Sequence, residues 1–199
     1  YLNMRFLDVA LHSLAFEPTM AVPHTATDGQ FFRYNPEFLL EQYKIGNVPV
    51  NRSYLHSLLH CLFGHIWNAR GRREAALWDL ACDLAVEHII DGLRCRCLRN
   101  PPKPYRRAVY DGLQKKIPVI HGEAVFHLLQ KAEPDPRTIA RLIQEFAVDS
   151  HAFWEREAKD PRSPLEQQNQ WQEIREKMEA ELELFSKEAA EDSQGLQEQ

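Results

Sequence analysis

Residues 53–65 read SYLHSLLHCLFGH, an apolar run that carries three histidines. Its leucines recur at helical spacing, so we predict a helix over residues 51–66, with Gly64 loosening its end. His56 and His60 are four residues apart, and on a helix their imidazoles project from one face. This is the geometry by which two histidines reach one zinc ion. The spacing alone is also typical of two histidines in an ordinary amphipathic helix.

A second long helix is predicted over residues 75–92, where LWDLACDLAVEHII is apolar around most of its circumference. Asp79, Asp83 and Glu87 recur every four residues and form a carboxylate stripe along one face. A solvated face is the alternative explanation of this stripe. Burying three acids costs free energy unless they are paired or bind a cation. Histidines on one helix and carboxylates on the next therefore favour a metal site with three protein ligands.

The rest of the chain predicts a mainly α, α+β fold. Asp28-Gly29 is a turn signal between two β-prone runs, so a β hairpin is expected there, followed by a short helix after Asn35-Pro36. The other predicted elements are a first helix in residues 1–16, a loop from residue 92 to about 118, two helices within 122–132 and 135–148, and a long polar helix over about 165–191.

Charge is distributed unevenly along the chain. Residues 165–199 hold three basic and ten acidic residues, whereas the preceding residues hold 21 basic and 19 acidic ones. An acidic tail on a nearly neutral body argues against a nucleic-acid-binding protein. We therefore divide the chain into a body over residues 1–160, which carries the candidate metal site, and an acidic helical tail or linker over residues 161–199.

Composition also excludes several classes of protein. No membrane span or signal peptide is expected, since no apolar run approaches the roughly 18 residues that a span needs. The four cysteines are too few and too irregularly spaced for a secreted disulfide framework, which predicts a cytoplasmic location. Cys95 and Cys97 are interpreted as loop thiols, because no second pair with zinc-finger spacing accompanies them. The sequence contains neither a phosphate-binding glycine loop nor a G-x-S-x-G nucleophile motif.

Three stretches carry, in the same order, a resemblance to a known family: TDGQFFRYNPEFL, YLHSLLHCLFGH and LWDLACDLAVEHII. The region from Thr27 to about Ile90 resembles the zincin-like metallopeptidase domain that precedes a von Willebrand factor A-like domain in many bacterial proteins. VDSHAFW, residues 148–154, is similar to a D-x-H-x-x-W stretch of those proteins. The resemblance implies a zincin-like fold, Zn²⁺ as cofactor and a peptide or protein substrate. It also implies a von Willebrand factor A-like partner domain, in the same chain or in another.

The resemblance further implies a ligand set. His56 and His60 would bind the zinc ion, and Asp83 would be the acidic third ligand from the second helix. Asp79 is either the alternative acidic ligand or the partner of a ligating histidine.

The family's His-Glu-x-x-His motif is altered in this chain, where Ser57 replaces the glutamate. That glutamate is the general base in the family, and a serine does not titrate near neutral pH. Glu87, one helical turn beyond the predicted acidic ligand, is the candidate replacement, with an ion pair to an arginine as its alternative role. His65 and His151 are further candidates. The glycine before His65 could let it swing inward as a fourth ligand or as a substrate-polarising group, and the segment of His151 could close over the site as a ligand.

Two hypotheses follow. In the first, the chain is a zinc-dependent metallopeptidase-like hydrolase domain that lacks its usual base. In the second, it is a non-catalytic interaction module whose metal only holds helices together. A catalytic zinc site keeps one coordination position open, whereas a structural site is closed by a further protein ligand such as His65 or His151.

Overall fold

The structure of the chain is a computed structural model that describes residues 7–69, 72–154 and 164–195, with residues 185–195 described as backbone only. The start of the first predicted helix and the predicted boundary at residue 160 lie outside the described residues. The division of the chain into body and tail therefore stays a prediction.

The described chain is mainly helical with one small sheet, which confirms the predicted fold class. The helices are α1 (Asp8–Leu11), α2 (Pro36–Ile45), α3 (Asn47–Leu62), α4 (His65–Asn68), α5 (Ala75–Gly92), α6 (Pro104–Gln114), α7 (Gly122–Ala132), α8 (Pro136–Phe146) and α9 (Pro164–Gly195). The strands are β1 (Ala15–Pro18), β2 (Thr25–Thr27) and β3 (Phe31–Tyr34), in the order β1-β3-β2. None of the described helices combines the length and apolarity that crossing a bilayer requires.

The predicted hairpin is confirmed as β2 and β3, which pair antiparallel. Asp28 stabilises the turn because its Oδ1 accepts hydrogen bonds from the backbone N–H groups of Gln30 and Phe31. Gly29 adopts a φ of 89°, which side-chain-bearing residues rarely adopt. Turn chemistry within a few residues was therefore enough to predict this element.

The first predicted helix is wrong in its second half. α1 ends at Leu11, and Ala15–Pro18 forms β1, which pairs parallel to β3. The exposed Phe16 stacks on Tyr54 of α3, with ring centroids 5.3 Å apart. A strand and an aromatic partner from later in the chain thus outweigh the local helical spacing.

The start of α3 was also predicted wrongly, since the helix begins at Asn47 rather than at residue 51. Gly46 makes the break from α2 with a φ of 151°. Pro49 is accommodated because it lies in the first turn, where a backbone N–H has no partner within the helix.

The loop predicted up to residue 118 contains a helix, α6. The prolines that suggested a loop include Pro104, but this residue occupies the first helical position, which proline suits. Tyr110 and Leu113 place one face of α6 in the core. Tertiary packing therefore stabilises a helix that the proline content concealed.

The predicted long polar helix is confirmed as α9, and its first turns pack against the body. Trp171 is 1% exposed, and its indole N–H donates to the carbonyl oxygen of Gly29 at 2.7 Å. Ile174 is buried one turn later, whereas Leu184 is exposed. The N-terminal part of α9 is thus anchored on the hairpin turn.

Candidate metal centre

A cluster of three histidines and two aspartates lies at the centre of the fold. α3 supplies His56 and His60, α5 supplies Asp83, and the segment after α8 supplies Asp149 and His151. One donor atom from each side chain lies within 4.8 Å of all the others. The side chains of His56, His60 and Asp149 are fully buried. The described residues therefore contain a His/Asp group that could hold a metal ion.

The distances between these donor atoms match the edges of a metal coordination shell. Oδ1 of Asp83 lies 3.2 Å from Nε2 of His56, 3.2 Å from Nε2 of His60 and 3.1 Å from Nε2 of His151. Nε2 of His56 and Nε2 of His60 are 2.9 Å apart. Ligands about 2.1 Å from an ion are separated by about 3.4 Å in a tetrahedron and about 3.0 Å at right angles. The cluster thus has the spacing of ligands around one ion.

In two of the histidines, Nδ1, the ring nitrogen that faces away from the cluster, lies against a carboxylate outside it. Nδ1 of His56 donates to Oε1 of Glu87 at 2.9 Å. Nδ1 of His151 lies 3.4 Å from Oδ1 of Asp79. Carboxylates in this position fix the imidazole orientation and leave the Nε2 lone pair for a metal ion. Asp79 therefore lies beside a candidate ligand rather than among the clustered donors.

His65 lies behind His60 and outside the group of donor atoms. Gly64, with a φ of 70°, follows the end of α3 and turns the chain so that His65 begins α4. Nδ1 of His65 is 3.0 Å from Nδ1 of His60, the nitrogen that points away from the cluster. Burial lowers the pKa of His65 well below its ordinary value, so its ring stays neutral. His65 can orient His60 from this position.

Glu87 is tied to two arginines as well as to a candidate ligand. Its Oε2 accepts hydrogen bonds from Arg52 and Arg106, and its Oε1 accepts one from His56. Burial alone would raise the pKa of Glu87, but the hydrogen bond from His56 and the two guanidinium charges outweigh burial and lower it to about 2. Both oxygens of an ionised Glu87 are thus occupied, in the ion pair that the sequence had suggested as its alternative role.

Charge balance within the cluster depends on two protonated imidazoles. Burial alone would lower the pKa of His56 and His151, but the neighbouring carboxylates outweigh it and raise both pKa values well above 6.5. Burial would likewise raise the pKa of Asp83 and Asp149, and the imidazolium charges reverse this and hold both below their ordinary range. A divalent cation brings the same charge as the two protons that it would displace.

Two atoms that face the cluster lack hydrogen bonds among the described residues. They are Oδ1 of Asp149 and Nε2 of His151, which form an ion pair 2.9 Å apart that does not meet the geometry of a hydrogen bond. Buried polar atoms that lack a hydrogen bond cost free energy. A cation between them would satisfy both, so these residues fit a metal ion.

Ser57 and Trp154 hold the C-terminal donors against the helices. The hydroxyl of Ser57 donates to Oδ2 of Asp149 at 3.1 Å. The ring of Trp154 stacks on His151, with centroids 3.7 Å apart and planes 19° apart. Both donors of this segment are therefore supported by neighbours outside the cluster.

Asp149 is the one clustered donor that the sequence analysis did not name. It belongs to VDSHAFW, the stretch in which only His151 was considered. The D-x-H spacing was an available signal, because residues two apart in an extended segment lie on one face.

Comparisons of the chain with protein-family models, with curated proteins and with solved structures gave no match.

Replacing Glu87 with glutamine is expected to weaken the binding of a divalent metal ion at the cluster about 10- to 100-fold, because the amide is a poorer acceptor for the Nδ1–H of His56. The measurement is a zinc titration against a competing chelator, with the fold checked by circular dichroism. Glu123→Gln is the matched control, since Glu123 pairs with Arg72 away from the cluster. Equal affinities for Glu87→Gln and the unmodified chain would contradict a positioning role for Glu87.

Proposed function

We propose that the chain binds one zinc ion within this cluster, with His56, His60 and Asp83 as ligands and Asp149 or His151 completing the shell, and that it is a metallopeptidase-like domain of zincin type in which this ion is structural. Imidazole and carboxylate donors together suit zinc. The observation that carries the proposal is the convergence of five buried protein donors on one point.

Closure of the cluster favours a structural site over a hydrolytic one. Catalytic zinc sites have three protein ligands and one open position, whereas four protein donors complete a tetrahedral shell. Asp149 has no exposed side-chain surface, and His151 has 7%. These two residues close the side of the cluster that α3 and α5 leave open.

Ser57 supports the same conclusion. In His-Glu-x-x-His enzymes this position holds the general base. Here it holds a buried hydroxyl whose hydrogen bond goes to Asp149. Glu87, the candidate replacement, already accepts from His56 and from two arginines. We therefore assign Glu87 as a positioning residue for His56.

The clustered residues come from three separate parts of the chain. α3, α5 and the segment after α8 each contribute at least one donor. When bound, a divalent cation supplies the positive charge and the directional bonds that hold such donors together. Ser57 holds the segment after α8 against α3 by its hydrogen bond to Asp149, and Trp154 supports His151 in the same segment by stacking.

The proposal extends to a cytoplasmic interaction module that acts with a von Willebrand factor A-like domain, as the resemblance implies. α9 supports this extension, because Trp171 anchors it to the body while Glu173, Glu176 and Glu179 remain exposed. A largely polar helix of this kind can bridge to a further domain.

Metal analysis of the protein purified without added metal tests the proposal. We expect about one zinc per chain and no cleavage of unfolded polypeptide substrates. X-ray absorption should show that every ligand of the ion is a protein atom and that none is water. A chain without metal would reject the site. Zinc-dependent cleavage that Glu87→Gln abolishes would replace the structural function with a hydrolytic one, and iron or manganese in place of zinc would correct the metal.

A further inference from the structure

A second group of reactive side chains lies away from the metal centre, at the 3-10 turn after α5. Sγ of Cys95 and Sγ of Cys97 are 3.0 Å apart. Cys97 is exposed and Cys95 is partly exposed, whereas Cys61 and Cys82 are buried. Reagents in solution therefore reach this thiol pair and not the other two cysteines.

The separation of the two sulfur atoms distinguishes between uses of the pair. Thiolates about 2.3 Å from a zinc ion are about 3.8 Å apart in a tetrahedral site. A linear site between two thiolates requires a still larger separation. A disulfide needs about 2.05 Å, and residues two apart satisfy its Cα distance when a turn shortens the chain between them. Arg96 begins such a turn, the 3-10 turn Arg96–Leu98. At 3.0 Å the geometry favours disulfide chemistry over metal binding.

The two thiols share one hydrogen bond, in which either sulfur can be the donor. This hydrogen bond lowers the pKa of one thiol of the pair and raises that of the other. The thiolate is the nucleophile in disulfide exchange, so the cysteine that loses its proton first attacks and the other one resolves.

We propose that Cys95 and Cys97 form a reversible intramolecular disulfide by exchange with low-molecular-weight disulfides. The thiolate of one cysteine attacks one sulfur of the reagent and expels the first reagent thiolate, which leaves a mixed disulfide. The other cysteine loses its proton to solvent, attacks the protein sulfur of the mixed disulfide and expels the second thiolate. Two protein thiols are oxidised, and one reagent disulfide is reduced to two thiols.

The turn is connected to the metal centre by hydrogen bonds. The carbonyl oxygen of Cys97 accepts from Asn51 at 3.1 Å, and that of Leu98 accepts from Arg52 at 3.3 Å. Arg52 also donates to Glu87, which holds His56. Closing the disulfide changes the backbone of the turn that carries these carbonyl groups, so oxidation should speed zinc loss; this part rests on the proposed structural site.

The test uses the full chain as purified, treated with oxidised glutathione and then labelled with N-ethylmaleimide without denaturation. Intact mass should show two labels on the reduced protein and, after oxidation, neither label nor glutathione. Cys95→Ser and Cys97→Ser are matched controls, and each should retain one glutathione, because the resolving step has no partner. A stable glutathione adduct on the unmodified chain, or two labels after oxidation, would overturn the disulfide.

Zinc transfer to a chelator, followed on the same samples, tests the connection to the metal centre. Oxidation should raise the rate of zinc loss several-fold in the unmodified chain and leave it unchanged in Cys95→Ser. Equal rates with a formed disulfide would refute the connection alone. Protein that holds no zinc when reduced would refute the proposed function, while the thiol count would still decide on the disulfide.

Discussion

Replacing His60 with alanine is expected to abolish zinc binding and to remove the stabilisation that zinc gives. His60 is fully buried and its Nε2 lies within 3.2 Å of two other donor atoms, so its loss opens the shell at the centre. A ligand at about 1000 times its dissociation constant stabilises the native state by about 4 kcal/mol. The variant should show no such gain. Metal content and thermal unfolding with and without added zinc measure both effects.

Two further variants separate the loss of a ligand from the loss of a buried ring. His60→Gln retains most of the side-chain volume but offers a much weaker zinc donor, so it should behave as His60→Ala does with zinc. His127→Ala removes an exposed histidine on α7 and should retain both zinc and the stabilisation. A His60→Ala protein that still unfolds at higher temperature when zinc is added would contradict the site.

Zinc binding is expected to release two protons per ion at pH 6.5 and to weaken about 100-fold for each unit by which the pH is lowered. The reason is that His56 and His151 have pKa values raised well above 6.5 in the metal-free cluster, so both are protonated there. His60 needs no deprotonation, because burial lowers its pKa. Titration calorimetry in buffers of different ionisation enthalpy counts the protons directly.

The metal-free protein should respond to pH in the opposite direction. A histidine whose pKa is raised on folding stabilises the native state fully below its unfolded pKa, and this contribution is lost as pH rises through the folded value. The free energy of unfolding without zinc should therefore fall as the pH rises from 6.5. With limiting zinc it should rise over the same range. Glu87 has the opposite effect, because its pKa is lowered to about 2: its contribution to stability is lost as the pH falls, and only in acid. If stability changed with pH in the same way with and without zinc, zinc would not displace the protons of His56 and His151.

Much of the local structure could be predicted because it depends on neighbours a few residues apart. The Asp28-Gly29 turn, the end of α5 at Gly92 and the presence of α7, α8 and α9 followed from turn chemistry and helical spacing. The errors arose where distant partners decide. β1 forms because β3 is available to pair with it, and α6 forms because Tyr110 packs in the core.

The sequence by itself determined which side chains project together from α3 and α5, because spacing along a helix sets their direction. It placed His56 and His60 on one face and a stripe containing Asp83 on the next helix. Only the tertiary structure brought in Asp149, whose carboxylate meets Ser57 from 92 positions away. Only the tertiary structure, likewise, placed His151 in the cluster, Asp79 and His65 behind histidines and Glu87 against arginines. Closure depends on chain segments that no local pattern relates, and it is this closure that favours a structural ion over a hydrolytic one.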